Sequence, residues 1–317
     1  MEPPEILIIG SYVQDLTWNT QAFPAPGETV IGTFQTGPGG KGSNQAIAAG
    51  RAGARILYAG AVGADAFARS AKDFYVSEGF PCQLIEKSGY ASGTAAILVD
   101  ETGQNQIIVA LGANGALSIE DVPRETVTSA KVLVCQLEAN LEATAHYLKT
   151  AHEAGVTTIL NPAPMRPDFD ANMLKYVDIL APNETEFASI VDTLELGDSN
   201  KDPLEYEPKE LEEIRLKLNL RTLLITLGGR GSLVCEDDVF ERVNILPDIK
   251  AIDTTGAGDA FVGGFAAGLM RYEYNTVRAA QFGNAVAGLS VTKPGTAPSM
   301  PNLTEVEAVL RGFGKSS

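Results

Sequence analysis

"KVLVCQLEANLEATAHYLKTAHEAGVTTILNPAP", residues 131–164, holds a complete supersecondary unit. "VLVC" and "TTIL" are short apolar runs of the kind that form strands buried on both faces, and "LEATAHYLKTAHEAG" between them has helical periodicity. A strand, a helix and a second strand in this order make a parallel pair with a crossover helix. Working outward, the same alternation recurs on both sides. "ILIIGS", "RILYAG", "DILAPNE" and "TLLITLGG" read as further buried strands, and "SNQAIAAGRAGA" and "ADAFARSAKDFYVSEG" read as helices. The fold class is therefore α/β: a doubly wound, mostly parallel sheet with helices on both faces.

Two stretches break the alternation. Residues ~14–38 and ~90–112 look like strands without intervening helices, and "GTAAILVDETGQNQIIVA" reads as a hairpin around "DETGQ". Together they predict a small β-sheet standing off the core as a lid. The expected organisation is a core of residues 1–13, 39–89 and 113–317, with a lid of residues 14–38 and 90–112. The acidic "ELGDSNKDPLEYEPKELEE" reads as a surface insertion without chemistry, and no repeat is evident.

At 317 residues, with 44% hydrophobic and 20% charged residues, the chain can bury a large core. A formal charge of −16 excludes nucleic acid as a partner, because phosphate backbones are held by surplus Lys and Arg. A phosphorylated small molecule is not excluded, since helix ends and a metal ion act locally. No stretch approaches the ~18 apolar residues of a membrane span. Three scattered cysteines and an N-terminus unlike a signal peptide point to the cytoplasm, or to the nucleus as well in a eukaryote. The two histidines, His146 and His152, lie six apart on one helix and make no metal pair.

Polar residues gather at the carboxyl ends of the strands: Asp15, Glu138, Asn161, Asn183 with Glu184 and Glu186, and Thr226. Ligands of open parallel sheets sit at that edge, so one elongated cleft is expected there. Each residue has a plainer reading as a cap or turn, and Asn183 with Glu186 fits a capping box. In "AIDTTGAGDAFVGGFAAGLM", residues 251–270, a strand is expected to end at Asp253, glycines to turn the chain, and a helix to start near Ala257. The unpaired N–H groups of such a first turn carry about half a positive charge and suit a phosphoryl group in transfer. Asp259 stands inside that turn, placed to accept a proton from a substrate hydroxyl. The other glycine-rich stretch, "TGPGGKGSNQA" at residues 36–46, nearly spells a P-loop, but Gly42 follows Lys41 where Ser or Thr is required. Gly37, Gly39 and Gly42 match a dinucleotide spacing that lacks its acidic partner.

"GGKGSNQA", "NPAP", "PNETE", "TLGGRG" and "DTTGAGDAF" together resemble the phosphofructokinase-B-type sugar kinases, and "GGKGSNQA" with "NPAP" and "GANGAL" resembles their ribokinase branch. The motifs run in family order over residues 10–299. The resemblance implies ATP-dependent transfer of the γ-phosphoryl group to the 5-hydroxyl of D-ribose, giving ribose 5-phosphate. It implies Asp259 as the base, Gly256, Ala257 and Gly258 as the anion hole, and Asp15, Gly40, Lys41, Asn44 and Glu138 on the sugar. Asn183 and Glu186 would organise Mg²⁺ and the phosphates through water. Thr226, Leu227, Gly228, Gly229, Arg230, Gly231, Gly258 and Asn284 would hold ATP. Asp253, Thr255, Ser290, Lys293, Gly295 and Ser299 would surround an activating monovalent cation such as K⁺, several through carbonyls. The lid implies a homodimer contact.

Two positions depart from the pattern. Val13 stands where bacterial ribokinases commonly carry Asn, which removes one sugar hydrogen bond and implies looser selection against a deoxy sugar. Lys293 replaces a frequent Arg, harmlessly if the contact is a carbonyl. The alternatives are a kinase for 2-deoxyribose, a ketohexose or a nucleoside, a non-catalytic sugar sensor on the same scaffold, and a dinucleotide oxidoreductase resting on the spaced glycines alone.

Overall fold

The computed structural model describes residues 3–313. The chain opens with β1 (Ile6–Ile9), β2 (Val13–Asn19), β3 (Thr33–Gly39), α1 (Lys41–Arg51), β4 (Ile56–Val62), α2 (Ala66–Glu78) and β5 (Cys82–Glu86). It continues with β6 (Gly93–Val99), β7 (Asn105–Ala110), α3 (Arg124–Ser129), β8 (Val132–Cys135), α4 (Leu141–Glu153), β9 (Thr157–Leu160), β10 (Ile179–Leu180) and α5 (Glu184–Thr193). Then come α6 (Pro208–Lys217), β11 (Thr222–Thr226), β12 (Ser232–Glu236), β13 (Val239–Val243), α7 (Ala257–Arg271), α8 (Thr276–Ser290) and α9 (Leu303–Phe313).

Nine strands form the main sheet in the order β13-β12-β11-β10-β9-β8-β1-β4-β5, parallel from β11 to β5 and antiparallel at β12 and β13. The unit at residues 131–164 is its centre, with Val132 to Cys135 of β8 beside Thr157 to Leu160 of β9 in parallel register. The period-two geometry of a strand explains why β1 is wholly apolar. Ile6 and Ile8 join one core with Ala48, Phe265 and Val286 from α1, α7 and α8. Leu7 and Ile9 join the opposite core with Tyr147, Phe187 and Leu211 from α4, α5 and α6. Each such side chain, buried rather than exposed, stabilises the fold by about 1.5–3 kcal/mol.

Side chains cap several of the helices. Asp65 accepts from the Ala68 N–H at 2.9 Å and Asn140 from the Ala143 N–H at 2.9 Å. In α7, Gly263 lets the helix backbone meet α1, and Gly264 and Gly268 let it meet α8. Any Cβ there would collide with the neighbouring helix.

The second sheet has four strands in the order β3-β2-β6-β7, with β2 antiparallel to β3 and parallel to β6. Register places Leu16, Trp18, Phe34, Leu98 and Ile108 on one face and Asp15, Thr17, Ile97, Ile107 and Val109 on the other. Both faces carry apolar side chains partly open to solvent, with Ile108 72% exposed on the first and Ile107 47% on the second. The sheet is pinned at its base by buried Asn114, whose Oδ1 accepts from the Tyr12 N–H at 3.0 Å. Its Nδ2 donates to the Tyr12 carbonyl at 2.7 Å and to the Leu111 carbonyl at 2.9 Å.

Two expectations from sequence are corrected. No strand ends at Asp253: the Ile252 and Asp253 N–H groups both donate to the Val291 carbonyl, so the segment follows the end of α8 rather than a sheet neighbour. Nor is "ELGDSNKDPLEYEPKELEE" wholly a surface insertion. Its last third begins α6, where Leu211 and Ile214, three apart among glutamates, are buried against the sheet. Strands β5, β12 and β13 have no counterpart in the sequence reading.

Candidate active site

The cleft lies along the carboxyl edge of the main sheet, with a volume of about 200 Å³, and Lys41, Asn161, Asn183, Glu186, Thr226 and residues 256–259 line it. At its centre Gly256 adopts a left-handed conformation, φ 76°, which turns the chain into α7. The Ala257 N–H is not free, because it donates to the Thr254 carbonyl at 3.1 Å. This corrects the expected anion hole: among the described residues, the unpartnered amides of the turn are those of Gly256, Gly258 and Asp259. Asp259 is 6% exposed and faces the cleft. Its Oδ2 accepts from Asn44 Nδ2 and its Oδ1 from Gln45 Nε2, both at 3.0 Å. Buried Asn44 keeps its Oδ1 without any partner. A buried carboxylate next to bare amides can take a proton while the amides receive an oxyanion.

Glu138 and Asp15 stand beyond it. Glu138 Oε2 accepts from Ser11 Oγ at 2.6 Å and from the Lys41 N–H at 3.0 Å, so it fixes the start of α1. Asp15 projects from β2 over Gly39, where any Cβ would strike its carboxylate. That carboxylate accepts one long hydrogen bond, from Thr296 Oγ1 at 3.3 Å. Burial, with Glu138 and Asp259 nearby and only Thr296 opposing, pushes the Asp15 pKa up to about 7. For Lys41 burial works against the charge, but Asp259, Glu138 and Glu186 outweigh it and hold its pKa above the ordinary value.

Asn183 and Glu186 realise the plainer sequence reading and also line the cleft. Asn183 Oδ1 accepts from the Glu186 N–H at 2.8 Å and Glu186 Oε2 from the Asn183 N–H at 2.9 Å, a complete capping box on α5. Burial raises the Glu186 pKa against the Asn183 hydrogen bond and the Lys41 charge. Among the described residues no group of three or more His, Cys, Asp or Glu gathers to cage a metal. One carboxylate with a free oxygen instead fits Mg²⁺ that keeps most of its water and phosphate ligands.

The remaining expected residues fall into two clusters. Thr226 pairs with Asn183 in a parallel bridge, and Leu227, Gly228, Gly229, Arg230 and Gly231 form the turn after β11. The Arg230 guanidinium is engaged outside the cleft by Asp202 at 2.8 Å and Glu184 at 3.2 Å. Buried Asn284 donates through Nδ2 to the Val243 carbonyl at 3.0 Å and the Asn244 carbonyl at 3.2 Å, holding the end of β13. Asp253 accepts from the Thr255 and Gly295 N–H groups, both at 2.9 Å, which draws residues 253–256 and 290–299 into one loop cluster. Ser290 and Ser299 donate to the Ala287 and Thr296 carbonyls, and Lys293 pairs outward with Glu305 at 2.8 Å. The side chains of Asp253, Ser290, Lys293 and Ser299 are thus engaged within the protein. Sequence reasoning missed Ser11, Gln45 and Thr296. Gln45 lay unread inside a quoted motif, and Thr296, 281 residues from Asp15 in the chain, gave no local signal.

A pfkB family carbohydrate kinase profile matches residues 3–303. A ribokinase of Haemophilus influenzae is 34% identical over 305 residues, covering 95% of this chain and 96% of its own length. The structure of a ribokinase from Giardia lamblia superposes with a TM-score of 0.88 at 34% identity, over 98% of this chain and all of its own. An Arabidopsis thaliana ribokinase, solved with ribose and ATP, gives a TM-score of 0.85 at 28% identity over 98% of this chain and 99% of its own. The chain thus belongs to the pfkB family of carbohydrate kinases.

Proposed function

We propose that the protein is an ATP-dependent ribokinase, transferring the γ-phosphoryl group to the 5-hydroxyl of D-ribose. The observation that carries this is the Asp259 carboxylate, buried in the cleft beside the unpartnered amides of Gly256 and Gly258. The sugar lies under the small sheet, held by Asp15, Glu138, the Gly40–Lys41 loop and Asn44, whose unsatisfied Oδ1 is ready to accept a hydroxyl. Asp259 takes the 5-hydroxyl proton as the O5–Pγ bond forms and the bond from Pγ to the bridging oxygen of ADP breaks. The amides of Gly256, Gly258 and Asp259 stabilise the charge on the phosphoryl oxygens, so positioning and electrostatics supply most of the catalysis. Lys41, its charge secured by Asp259, Glu138 and Glu186, neutralises the phosphates from the other side. Mg²⁺, when bound with the nucleotide, spreads that charge further, and Glu186 and Asn183 would hold its water shell.

ATP lies over the turn at Thr226 to Gly231, with Asn284 keeping the far wall in place. K⁺ or a similar ion would be held by carbonyls of the 253–255 and 290–299 loops, next to the anion hole. The small sheet acts as a lid, and its face bearing Phe34 and Ile108, opposite Asp15, suits burial in a homodimer. Three free cysteines suit a reducing cytosol. A second reading, 2-deoxyribose as acceptor, is favoured by Val13, an apolar residue 2% exposed two positions before Asp15. A panel of ribose, 2-deoxyribose, ketohexoses and nucleosides in a coupled ADP-release assay tests both. Ribose giving the largest kcat/KM supports the proposal, 2-deoxyribose giving it selects the second reading, and no sugar-dependent ADP release removes the enzyme.

A further inference from the structure

Asp259 is held by two amides, and they differ in one respect. Asn44 has an oxygen to spare for a ligand, whereas Gln45 has none and is completely buried. Gln45 Nε2 donates to Asp259 Oδ1 at 3.0 Å and to Asn161 Oδ1 at 3.1 Å. Its Oε1 accepts from Gln136 Nε2 at 2.6 Å. Asn161 is oriented in turn by donating to the Ala181 carbonyl at 2.9 Å. Every hydrogen-bonding direction of the Gln45 amide but one acceptor lobe is therefore fixed by a partner, and a flipped amide would set oxygen against the Asp259 carboxylate and against Asn161 Oδ1. Gln136 holds this orientation although its own Oε1 is left buried without a partner. Natural proteins seldom tolerate such an atom without a reason.

We infer that Gln45 is a positioning residue: it locks the Asp259 carboxylate in the rotamer that faces the acceptor hydroxyl, and Gln136 and Asn161 lock Gln45. The inference rests on Asp259 being the base. Completely buried Gln45 touches no sugar, so its whole effect passes through Asp259 and belongs to turnover rather than binding.

The test is a double-mutant cycle on the intact enzyme with sugar and MgATP. Gln45→Met keeps the shape and removes the amide. Its kcat should fall about 10–100-fold, the usual consequence of a misplaced catalytic group, with the sugar KM within about threefold of the parent. In an Asp259→Asn background the same substitution should change residual turnover by less than about twofold, because no carboxylate remains to be positioned. An unchanged kcat, or an equal fall in both backgrounds, overturns the inference and leaves Gln45 a packing residue. If Asp259→Asn alone keeps near-normal turnover, the base assignment fails instead, and the two failures are distinguishable. Should Gln45→Met not fold, Gln136→Met decides: a kcat loss of about threefold or more with unchanged KM supports the network, and full activity overturns it.

Discussion

Two aspartates stand near one another at the carboxyl edge of the main sheet, Asp259 buried in the cleft and Asp15 half-buried beyond it, and the protein treats them differently. Asp259 receives an amide hydrogen bond on each oxygen and sits on a helix anchored to two others. Asp15 sits on a strand of the small sheet with one long hydroxyl contact to its carboxylate, and its pKa is pushed up to about 7 by burial and by neighbouring carboxylates. The difference shows where the work of organisation is done before substrate arrives. On the proposed function, the phosphoryl-transfer end would be assembled in advance, whereas the sugar end would leave a carboxylate for the sugar's hydroxyls to satisfy.

The strongest way to break this contrast is at Asp259. Asp259→Asn should lose about 10²–10⁴ in kcat while the sugar KM moves little, the usual worth of a general base. Steady-state kinetics with equilibrium sugar binding checks it, and a large KM effect with intact kcat would erase the distinction between the two ends. Next comes Asp15→Asn, which should raise the sugar KM about 10–100-fold and leave kcat within a few-fold, since a hydrogen bond to a charged group is worth about 1.5–3 kcal/mol.

The pH dependence sharpens the same point. An ionised Asp15 accepts from a hydroxyl more strongly than a protonated one, so kcat/KM for the sugar should fall as pH drops below about 7, towards the level of Asp15→Asn, and level off above it. In the free protein the sign is opposite. The folded state keeps a proton that the unfolded chain has lost between the ordinary carboxylate range and about 7, so this group's contribution to stability is lost as pH rises through that window. Asp15→Asn should therefore raise the thermal midpoint at about pH 8 and not at about pH 4. A flat kcat/KM across that range would show that Asp15 is ionised without help. A smaller effect is expected from Thr296→Val, which removes the hydroxyl that contacts the Asp15 carboxylate and the Pro38 carbonyl, the latter at 3.1 Å. The sugar KM should rise about three- to tenfold, consistent with ~1 kcal/mol for one hydrogen bond. Ile108→Glu should have the least effect on chemistry and fold, yet sedimentation should show a monomer if the small sheet carries the dimer contact.

Much of this was written in local pattern. The alternation around residues 131–164 gives the sheet, because a strand buried on both faces needs an unbroken apolar run, as β1 and β8 have. The run of polar residues after successive strands gives the cleft. Elements held by distant contacts were not legible. Nothing near Thr296 announces Asp15, and Gln45 acquires its meaning only when α7 packs on α1. Helix α6 was hidden because its buried Leu211 and Ile214 are outnumbered by its charged residues. The supposed strand before Asp253 failed for the converse reason: an apolar residue, Ile252, is 69% exposed beside a helix end.

Asn114 fastens the chain leaving β1 to the chain leaving β7, and β3 runs directly into Lys41 at the head of α1. The four outer strands are therefore joined to the core along one rim, and that rim carries Gly39 and Asp15. Whatever presses on the outer sheet is felt first at that seam, one residue from the helix that bears Asn44 and Gln45.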